Sequence, residues 1–361
     1  MSFPTVDDGR SYLQAVRDTC TQLDTDGLVQ VNQDAIKAFV QDRNAGMIRK
    51  LGESLAAHIT GFGIEFESLL QEVSFITFAH AMDFGSGFRQ ELHKFHRKGA
   101  FLTIKAGLIN MYNLNHDLDS SFLAEITQDT VTECFLPDLN DCKEDSVTEA
   151  LKVFISYLVG VSHEIGIGLR DQGYKHVYEL VLDALKKGSS DNGAASVVKA
   201  LVDSFPYTFK DAYYYPSESG PSTSKQAVFL YKKAQLSTGE LYHSFRNQDE
   251  RFNFKDAHLL TAYVDNVIVA TMRKTGCITC RERLHNAIDT HVALPKGSKE
   301  EIALRAKSLE ATELIAREFN KVDSSVDLKA CEVGNYLWAV LGKEPEFRAY
   351  QRHATPDTLF Y

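Results

Sequence analysis

Residues Phe254–Met272 read FKDAHLLTAYVDNVIVATM, a mostly apolar stretch that contains the carboxylate of Asp265. Asp256 is suited to cap a short helix whose Leu259, Leu260 and Tyr263 face inward. The leucine, valine and isoleucine side chains around Asp265 lower the local dielectric, which raises the free-energy cost of its charge unless a cation or a donor compensates it. Spacing alone favours a structural role for Asp265, as the N-cap of the next helix, over a catalytic one.

Two lysines end an apolar run upstream of this stretch, in Leu230-Tyr231-Lys232-Lys233-Ala234-Gln235. A run of this kind is buried, so the basic group at its end can be delivered to the interior region that holds Asp265. Lys232 and Lys233 are therefore the first candidates for a cation near that carboxylate.

The composition is that of a globular protein with a large core, because 44% of the 361 residues are hydrophobic. We expect one integrated domain over residues 1–361. The segment Tyr213–Pro221, YYYPSESGP, is the clearest predicted loop and the best boundary between two subdomains, residues 1–212 and residues 225–361.

The charge balance makes extended nucleic acid an unexpected ligand. The formal net charge is -10, and no clustered basic face is visible that would neutralise a phosphate backbone. The first residues, MSFPTVDDG, lack the basic and apolar regions of a secretory signal. The most apolar stretch, Leu151–Val161, is too short to span a bilayer and contains Lys152. We expect no membrane association and a soluble intracellular protein in the cytoplasm, with the nucleus as the alternative.

The cysteines and histidines do not predict a metal site. The six cysteines are too few and too scattered for a disulfide scaffold at this length, so reduced thiols are expected. Cys277-Ile-Thr-Cys280 is followed after four residues by His285, an interval far shorter than a zinc finger needs to fold back. His163-Glu164 lacks a second histidine at helical spacing, which favours a surface or capping pair. No metal and no cofactor are expected.

Helical periodicity dominates the chain and predicts a mainly α fold with a few short β-strands. Residues 34–57 have the pattern of one long amphipathic helix or two short ones. Residues 69–84 are compatible with a helix or with a buried strand, and residues 227–231, just before Lys232, with a short strand. Capping-box patterns predict helix starts at Ser146–Glu149 and at Ser298–Glu301.

The segment Asp83-Phe84-Gly85-Ser86-Gly87-Phe88-Arg89 predicts a tight loop, because its two glycines permit turns that other residues do not tolerate. Such a loop would hold Phe84 and Phe88 in defined directions. The two rings either stack on a planar ligand or pack into the core, and the sequence favours neither. The glycine spacing is not that of a dinucleotide-binding or phosphate-binding loop.

An ordered set of motifs resembles the queuosine salvage family, closely over residues 200–361 and more thinly before them. The motifs are Phe205-Pro206, Phe229–Gln235, Phe254–Asp256 through Asp265, Gly297-Ser298 with Glu301 and Arg305, Tyr336-Leu337-Trp338, and the closing Phe360-Tyr361. No single motif is specific, whereas the order and spacing of the set are. The resemblance implies a helical fold related to DNA glycosylases, with residues 225–361 as the catalytic half.

The same resemblance implies hydrolysis of the N-glycosidic bond of queuosine 5'-monophosphate, with release of queuine for reuse in tRNA modification. The family's catalytic aspartate corresponds to Asp265 and its active-site lysine to Lys232, with Lys233 as the neighbouring alternative. Phe84, Phe88 and Trp338 are predicted to stack on the base. Arg352 and His353 are predicted to contact the phosphate. The remaining predicted substrate-binding residues are Asp83, Lys233, Asp256 and Tyr361.

Three positions depart from the family pattern. Gly334 stands where an acidic residue is expected ahead of Tyr336, no proline follows Asp265 closely, and Asp357 replaces a basic residue in the tail. These departures leave the nucleotide, the nucleoside and a related deazapurine open as substrates, and they do not involve Asp265 or Lys232.

Two other functions are compatible with the residues. One is a base-excision glycosylase acting on DNA, which the acidic balance and the lack of a helix-hairpin-helix glycine pattern disfavour. The other is a non-catalytic helical interaction protein in which Asp265 is a cap and the aromatic rings are core.

Overall fold

The computed structural model describes residues 3–7, 9–44, 46–50, 62–189, 191–216 and 225–361. Helices make up most of this part of the chain and the strands are short, so the predicted mainly α class is confirmed. In chain order the helices are α1 (Tyr12–Thr21), α2 (Gln33–Gln41), α3 (Leu69–Ala81), α4 (Arg89–His96), α5 (Ala100–Leu114), α6 (Ser120–Glu125), α7 (Gln128–Phe135), α8 (Asp145–Asp171), α9 (Val177–Lys187), α10 (Gly193–Ser204), α11 (Pro206–Phe209), α12 (Lys232–Phe245), α13 (Asn266–Lys274), α14 (Glu282–Asp289), α15 (Lys299–Val322), α16 (Ala330–Ala339) and α17 (Pro345–Arg348). The strands are β1 (Val29–Val31), β2 (Ala212–Pro216), β3 (Lys225–Phe229) and β4 (Ile278–Cys280). Residues 46–50 are also helical.

The chain forms two compact units, each assembled from separate segments. The first contains Met1–Ala57, Asp211–Gln235 and Lys255–Thr355, and the second contains His58–Lys210, Leu236–Phe254 and Pro356–Tyr361. The predicted boundary near residue 213 lies close to the passage from one unit to the other at residues 210–211. The later segments at 236–254 and 356–361 belong to the second unit, so each unit is discontinuous in sequence. The integrated domain with its two subdomains stays a prediction.

Helix α15 is the central element of the first unit. It packs against α1, α2, α13, α16 and β1, and it buries Leu304, Leu309, Ile315 and Phe319. Its start follows the predicted capping box only in part. Ser298 Oγ accepts the N–H of Glu301 at 3.2 Å, whereas the Glu301 carboxylate accepts the N–H of Gly297.

Two antiparallel strand pairs complete the first unit. Val29 pairs with Cys280 in the β1–β4 pair, and Ala212 pairs with Phe229 in the β2–β3 pair. The prediction of a loop from Tyr213 is therefore wrong up to Pro216, because these residues pair with Lys225–Phe229 as strand β2; residues 217–221 lie outside the described residues. Strand β3 confirms the short strand expected before Lys232.

The second unit is built on α8, whose inward face carries Leu151, Phe154, Ile155 and Leu158. The predicted capping box at Ser146 is wrong: the helix begins at Asp145 and Ser146 lies within its first turn. The 27-residue helix is long and apolar enough to cross a membrane by length and composition, so the apolar segment extends further than the short stretch predicted. Core helices of globular proteins pass the same test, and α8 packs its apolar face against α6 and α7.

Three further predictions concern individual segments of the chain. Residues 69–81 form a helix and not a strand, and Ser68 Oγ caps its first turn by accepting the N–H of Gln71. The expected helix or helices over 34–57 appear as α2 and residues 46–50, and the remainder lies outside the described residues. Glu164 accepts the N–H groups of Tyr207 and Thr208 at 2.6 and 2.8 Å, which confirms it as a capping residue.

Candidate active site

Asp265 is both the N-cap of α13 and the acceptor of a side-chain donor. Its Oδ1 accepts the N–H groups of Val267 and Ile268, each at 2.9 Å, so the structural role favoured by its spacing is confirmed. Its Oδ2 accepts the indole N–H of Trp338 at 2.8 Å. The residue is only 9% exposed. Three N–H donors in a buried setting stabilise the negative charge of the carboxylate and hold its plane in one orientation.

Two glycines allow the surrounding backbone to approach Asp265 closely. A Cβ at Gly334 would lie 2.8 Å from the Cβ and 3.1 Å from the Cα of Ala262, three residues before Asp265. A Cβ at Gly342 would lie 2.6 Å from a methyl group of Val267. The departure from the family pattern at Gly334 therefore has a steric reason, since α16 must approach this backbone for Trp338 to reach Asp265.

Trp338 lies at the carboxylate as a hydrogen-bond donor. Its indole N–H donates to Asp265, and the Lys343 ammonium lies 5.2 Å from the centroid of its ring. This is a cation–π distance, so one face of the ring is already contacted. The predicted stacking of Trp338 on a base stays a prediction.

Lys232 and Lys233 begin helix α12 and are buried in the first unit, with 6% and 1% exposure. The first turn of α12 is connected to the segment that leads into Asp265. Gln235 Oε1 accepts the N–H of Thr261 at 3.0 Å and its hydroxyl at 3.2 Å. Lys232 lies three positions before Gln235, and Asp265 lies four positions after Thr261, so these two bonds join the chain segments that carry the two predicted catalytic residues.

Asp256 does not cap a helix through its side chain. It precedes a single 3-10 turn, Ala257–Leu259, and makes no side-chain cap hydrogen bond to that turn. The predicted short helix is therefore wrong, because the chain extends again at Leu260. The predicted burial of Leu260 and Tyr263 is confirmed, whereas Leu259 is partly exposed. Asp256 is itself buried, and its role in substrate binding stays a prediction.

His353 is a buried neutral ring. Burial, and after it the charges of the neighbouring Arg305 and Arg273 guanidinium groups, together lower the pKa of His353 to about 3. Its carbonyl accepts the side-chain N–H of Asn266, the residue after Asp265, at 3.2 Å. A neutral imidazole can contact a phosphate only as a hydrogen-bond donor. Of the two residues predicted to contact the phosphate, Arg352, which is partly exposed, is therefore the one that can supply a positive charge.

The loop at Asp83 belongs to the second unit. Gly85 has φ of 109°, which favours glycine, and a 3-10 turn follows at Ser86–Phe88. The rings of Phe84 and Phe88 are buried, with centroids 5.8 and 5.3 Å from that of Phe154. Of the two interpretations left open for these rings, the packing one is observed, and stacking on a ligand stays a prediction.

Tyr361 lies beside this loop. Its main-chain oxygen accepts the N–H of Gly85 at 3.3 Å and the hydroxyl of Ser86 at 3.2 Å, and its side chain is buried. An aromatic chain end that is docked rather than frayed is therefore observed. The contact of Asp83 and Tyr361 with substrate stays a prediction.

The Cys277 and Cys280 thiols are held in their protonated form. Burial raises the pKa of both, and it is the thiolate that binds metals. Within the described ranges, no group of three or more histidine, cysteine, aspartate or glutamate side chains is arranged to hold a metal ion.

Comparisons with known proteins place these residues in a family. The family model described as queuosine salvage protein matches residues 93–361, which include Lys232, Asp265 and Trp338 but not Asp83 or Phe84. Proteins named queuosine 5'-phosphate N-glycosylase/hydrolase are similar to the chain. The one from Dictyostelium discoideum is 26% identical over 67% of this chain and 65% of its own length. The one from Sphaerobacter thermophilus is 25% identical over 61% and 59%, and the one from Schizosaccharomyces pombe is 23% identical over 46% and 44%. The matched region thus spans less than two thirds of each relative.

Proposed function

The chain belongs to the queuosine salvage protein family, and on this basis we propose that it is an N-glycosyl hydrolase acting on queuosine 5'-monophosphate. The products are queuine, which is reused in tRNA modification, and ribose 5-phosphate. The names of the similar proteins support the substrate class. The observation that carries the proposal is the buried Asp265 carboxylate, oriented by two amides and the Trp338 indole in the unit that also buries Lys232.

Asp265 has the properties that this reaction needs. Breaking a ribose C1'–N bond builds positive charge on the sugar, and a carboxylate aimed at C1' stabilises that charge. Preorganised donors keep the carboxylate in place, so little reorganisation is needed as the charge develops. The same carboxylate can orient or deprotonate the attacking water, whose oxygen then forms the new bond to C1'.

The leaving group sets the second requirement. A 7-deazapurine lacks the imidazole-ring nitrogen at which other purines are protonated, so donors to the remaining edge of the base must assist its departure. Lys232 can serve as a charge partner for Asp265, as a phosphate contact or as such a donor. The three roles stay open in this proposal, as does the preference between nucleotide and nucleoside.

We propose a mononucleotide as substrate, with no resident cofactor and no extended nucleic acid. The location proposed is the cytoplasm, with the nucleus as the alternative. The free state of all six cysteines fits a reducing compartment of this kind.

The test separates the two roles of Asp265 with matched variants. Asparagine caps a helix as well as aspartate does, whereas alanine loses about 1 kcal/mol of cap stability. Asp265→Asn keeps the cap, but its amide nitrogen cannot accept the Trp338 indole N–H. The variant should therefore unfold between the wild type and Asp265→Ala, and lose activity by a factor on the order of 10²–10⁴. The assay incubates purified protein with queuosine 5'-monophosphate and follows free queuine by mass spectrometry.

Asp265→Ala is the control for the cap and should be inactive and less stable. An Asp265→Asn protein that releases queuine as fast as the wild type would exclude the mechanism. Wild-type protein that releases no queuine would exclude the substrate.

A further inference from the structure

A fully buried ion cluster lies in the first unit beside the segments of Asp265 and Lys232. The Arg305 guanidinium of α15 donates to both oxygens of Asp211, at 3.0 and 2.5 Å, and to Oε1 of Glu301 at 3.0 Å. All three side chains are at most 1% exposed. A buried cluster of this kind is an uncertain source of stability, because apolar side chains of the same volume are often as favourable. Apolar side chains in its place would not form the directional hydrogen bonds of the cluster.

One of those bonds reaches the residue before Asp265. Arg305 Nε donates to the main-chain carbonyl of Val264 at 3.2 Å. The backbone at this point leaves the extended segment and enters the N-cap of α13. Arg305 therefore holds the peptide from which the Asp265 side chain projects.

The other side of the cluster reaches the residue before Lys232. The main-chain carbonyl of Asp211 accepts the N–H groups of Leu230 and Tyr231 at 2.9 and 3.1 Å. Tyr231 has φ of 46°, a left-handed conformation that is uncommon for a bulky residue and persists only where the surroundings impose it. This turn directs the chain into α12, which begins at Lys232.

We propose that Arg305 and Asp211 are positioning residues that set the separation of Asp265 and Lys232. The path runs from Val264 through the Arg305 guanidinium and the Asp211 carboxylate to the Asp211 carbonyl and the turn at Tyr231. The inference rests on the proposed function, since it concerns the geometry of that site. Its action is indirect: neither residue is required to touch the substrate.

The first test uses Arg305→Lys, which keeps the positive charge and removes the planar guanidinium with its several N–H donors. A lysine ammonium cannot donate at once to both Asp211 oxygens and to the Val264 carbonyl. A displacement of about 1 Å at a reacting group costs on the order of 10²-fold in rate. We expect kcat for queuine release to fall by about 10- to 100-fold while KM changes by less than about threefold. Asp211→Asn, which removes the carboxylate but keeps the main-chain carbonyl, should change kcat in the same direction.

The control is Ile315→Val, a fully buried substitution on the same helix that leaves the ion cluster intact. A structural role alone would make kcat follow the loss of stability, so the three variants are compared at equal distance below their unfolding temperatures. A kcat for Arg305→Lys equal to that of the wild type or of Ile315→Val would overturn the inference.

A second measurement does not depend on activity. Hydrogen exchange should accelerate at the amides of Leu230 and Tyr231 in Arg305→Lys, and remain unchanged in α1. Unchanged exchange at these amides would also overturn the inference. If the wild type hydrolyses no substrate, the proposed function fails, whereas the exchange result still decides whether Arg305 positions the turn.

Discussion

At the scale of the residue, Asp265 has a structural and a proposed chemical role that use different oxygens. Oδ1 completes the first turn of α13, and Oδ2 accepts the Trp338 indole N–H. A cap orients the carboxylate relative to its own helix, and the indole fixes it relative to α16. The two roles are therefore compatible, and the cap contributes to the orientation that the chemistry needs.

The indole N–H of Trp338 should affect the rate of the reaction through its hydrogen bond to Asp265. Trp338→Phe removes the donor and keeps a ring, and a hydrogen bond to a charged group contributes about 1.5–3 kcal/mol. We expect kcat to fall by about 10- to 100-fold with little change in KM, because the carboxylate loses its orientation. Steady-state kinetics of queuine release measures both constants.

Trp338→Leu, which removes donor and ring together, separates the donor from a stacking role. A Phe variant as active as the wild type, with only the Leu variant impaired in KM, would contradict the donor role and support stacking on the base.

At the scale of the element, the closeness of α16 to the Asp265 segment depends on Gly334. Gly334→Ala would place a methyl group 2.8 Å from Ala262 Cβ and 3.1 Å from its Cα. Overpacking of this kind costs about 1–3 kcal/mol, since the contact includes backbone that cannot rotate away. We expect a lower free energy of unfolding in urea and a loss of activity, because the shift moves Trp338 away from Asp265.

Gly99→Ala is the control for Gly334→Ala. Its Cβ would meet only the end of the His93 side chain, at an ordinary 3.6 Å. Stability losses of equal size in the two variants would show that the close approach at Ala262 is not what requires glycine.

At the scale of the whole molecule, the charge of -10 opposes binding to polyanions. We expect no binding of a labelled RNA or DNA of about 20 nucleotides at about 50 mM salt, measured by fluorescence anisotropy, under conditions in which the mononucleotide is hydrolysed. Binding that weakens linearly with the logarithm of salt concentration would instead favour the glycosylase that acts on nucleic acid.

Features that depend on neighbours within one turn were predictable from the amino-acid sequence. The helical class, strand β3 before Lys232 and the cap at Asp265 follow from periodicity and capping over a few positions. The errors at Asp256 and Ser146 have the same origin. Each carries a local cap pattern, yet packing determines where a helix begins, and that pattern alone cannot tell a 3-10 turn from a helix start.

The assembly of the site was decided by contacts between distant positions. Trp338 and Asp265 are 73 positions apart, and Arg305 and Asp211 are 94 apart. Asp211 carries no motif, and its part became visible only through the guanidinium that it meets. Hydrogen bonds over such separations depend on the path of the whole chain, and on glycines such as Gly334 that let two backbones approach. A short-range pattern contains neither quantity. The residue types and the family resemblance predicted which side chains are candidates for the chemistry, whereas the packing of the helices selected their partners.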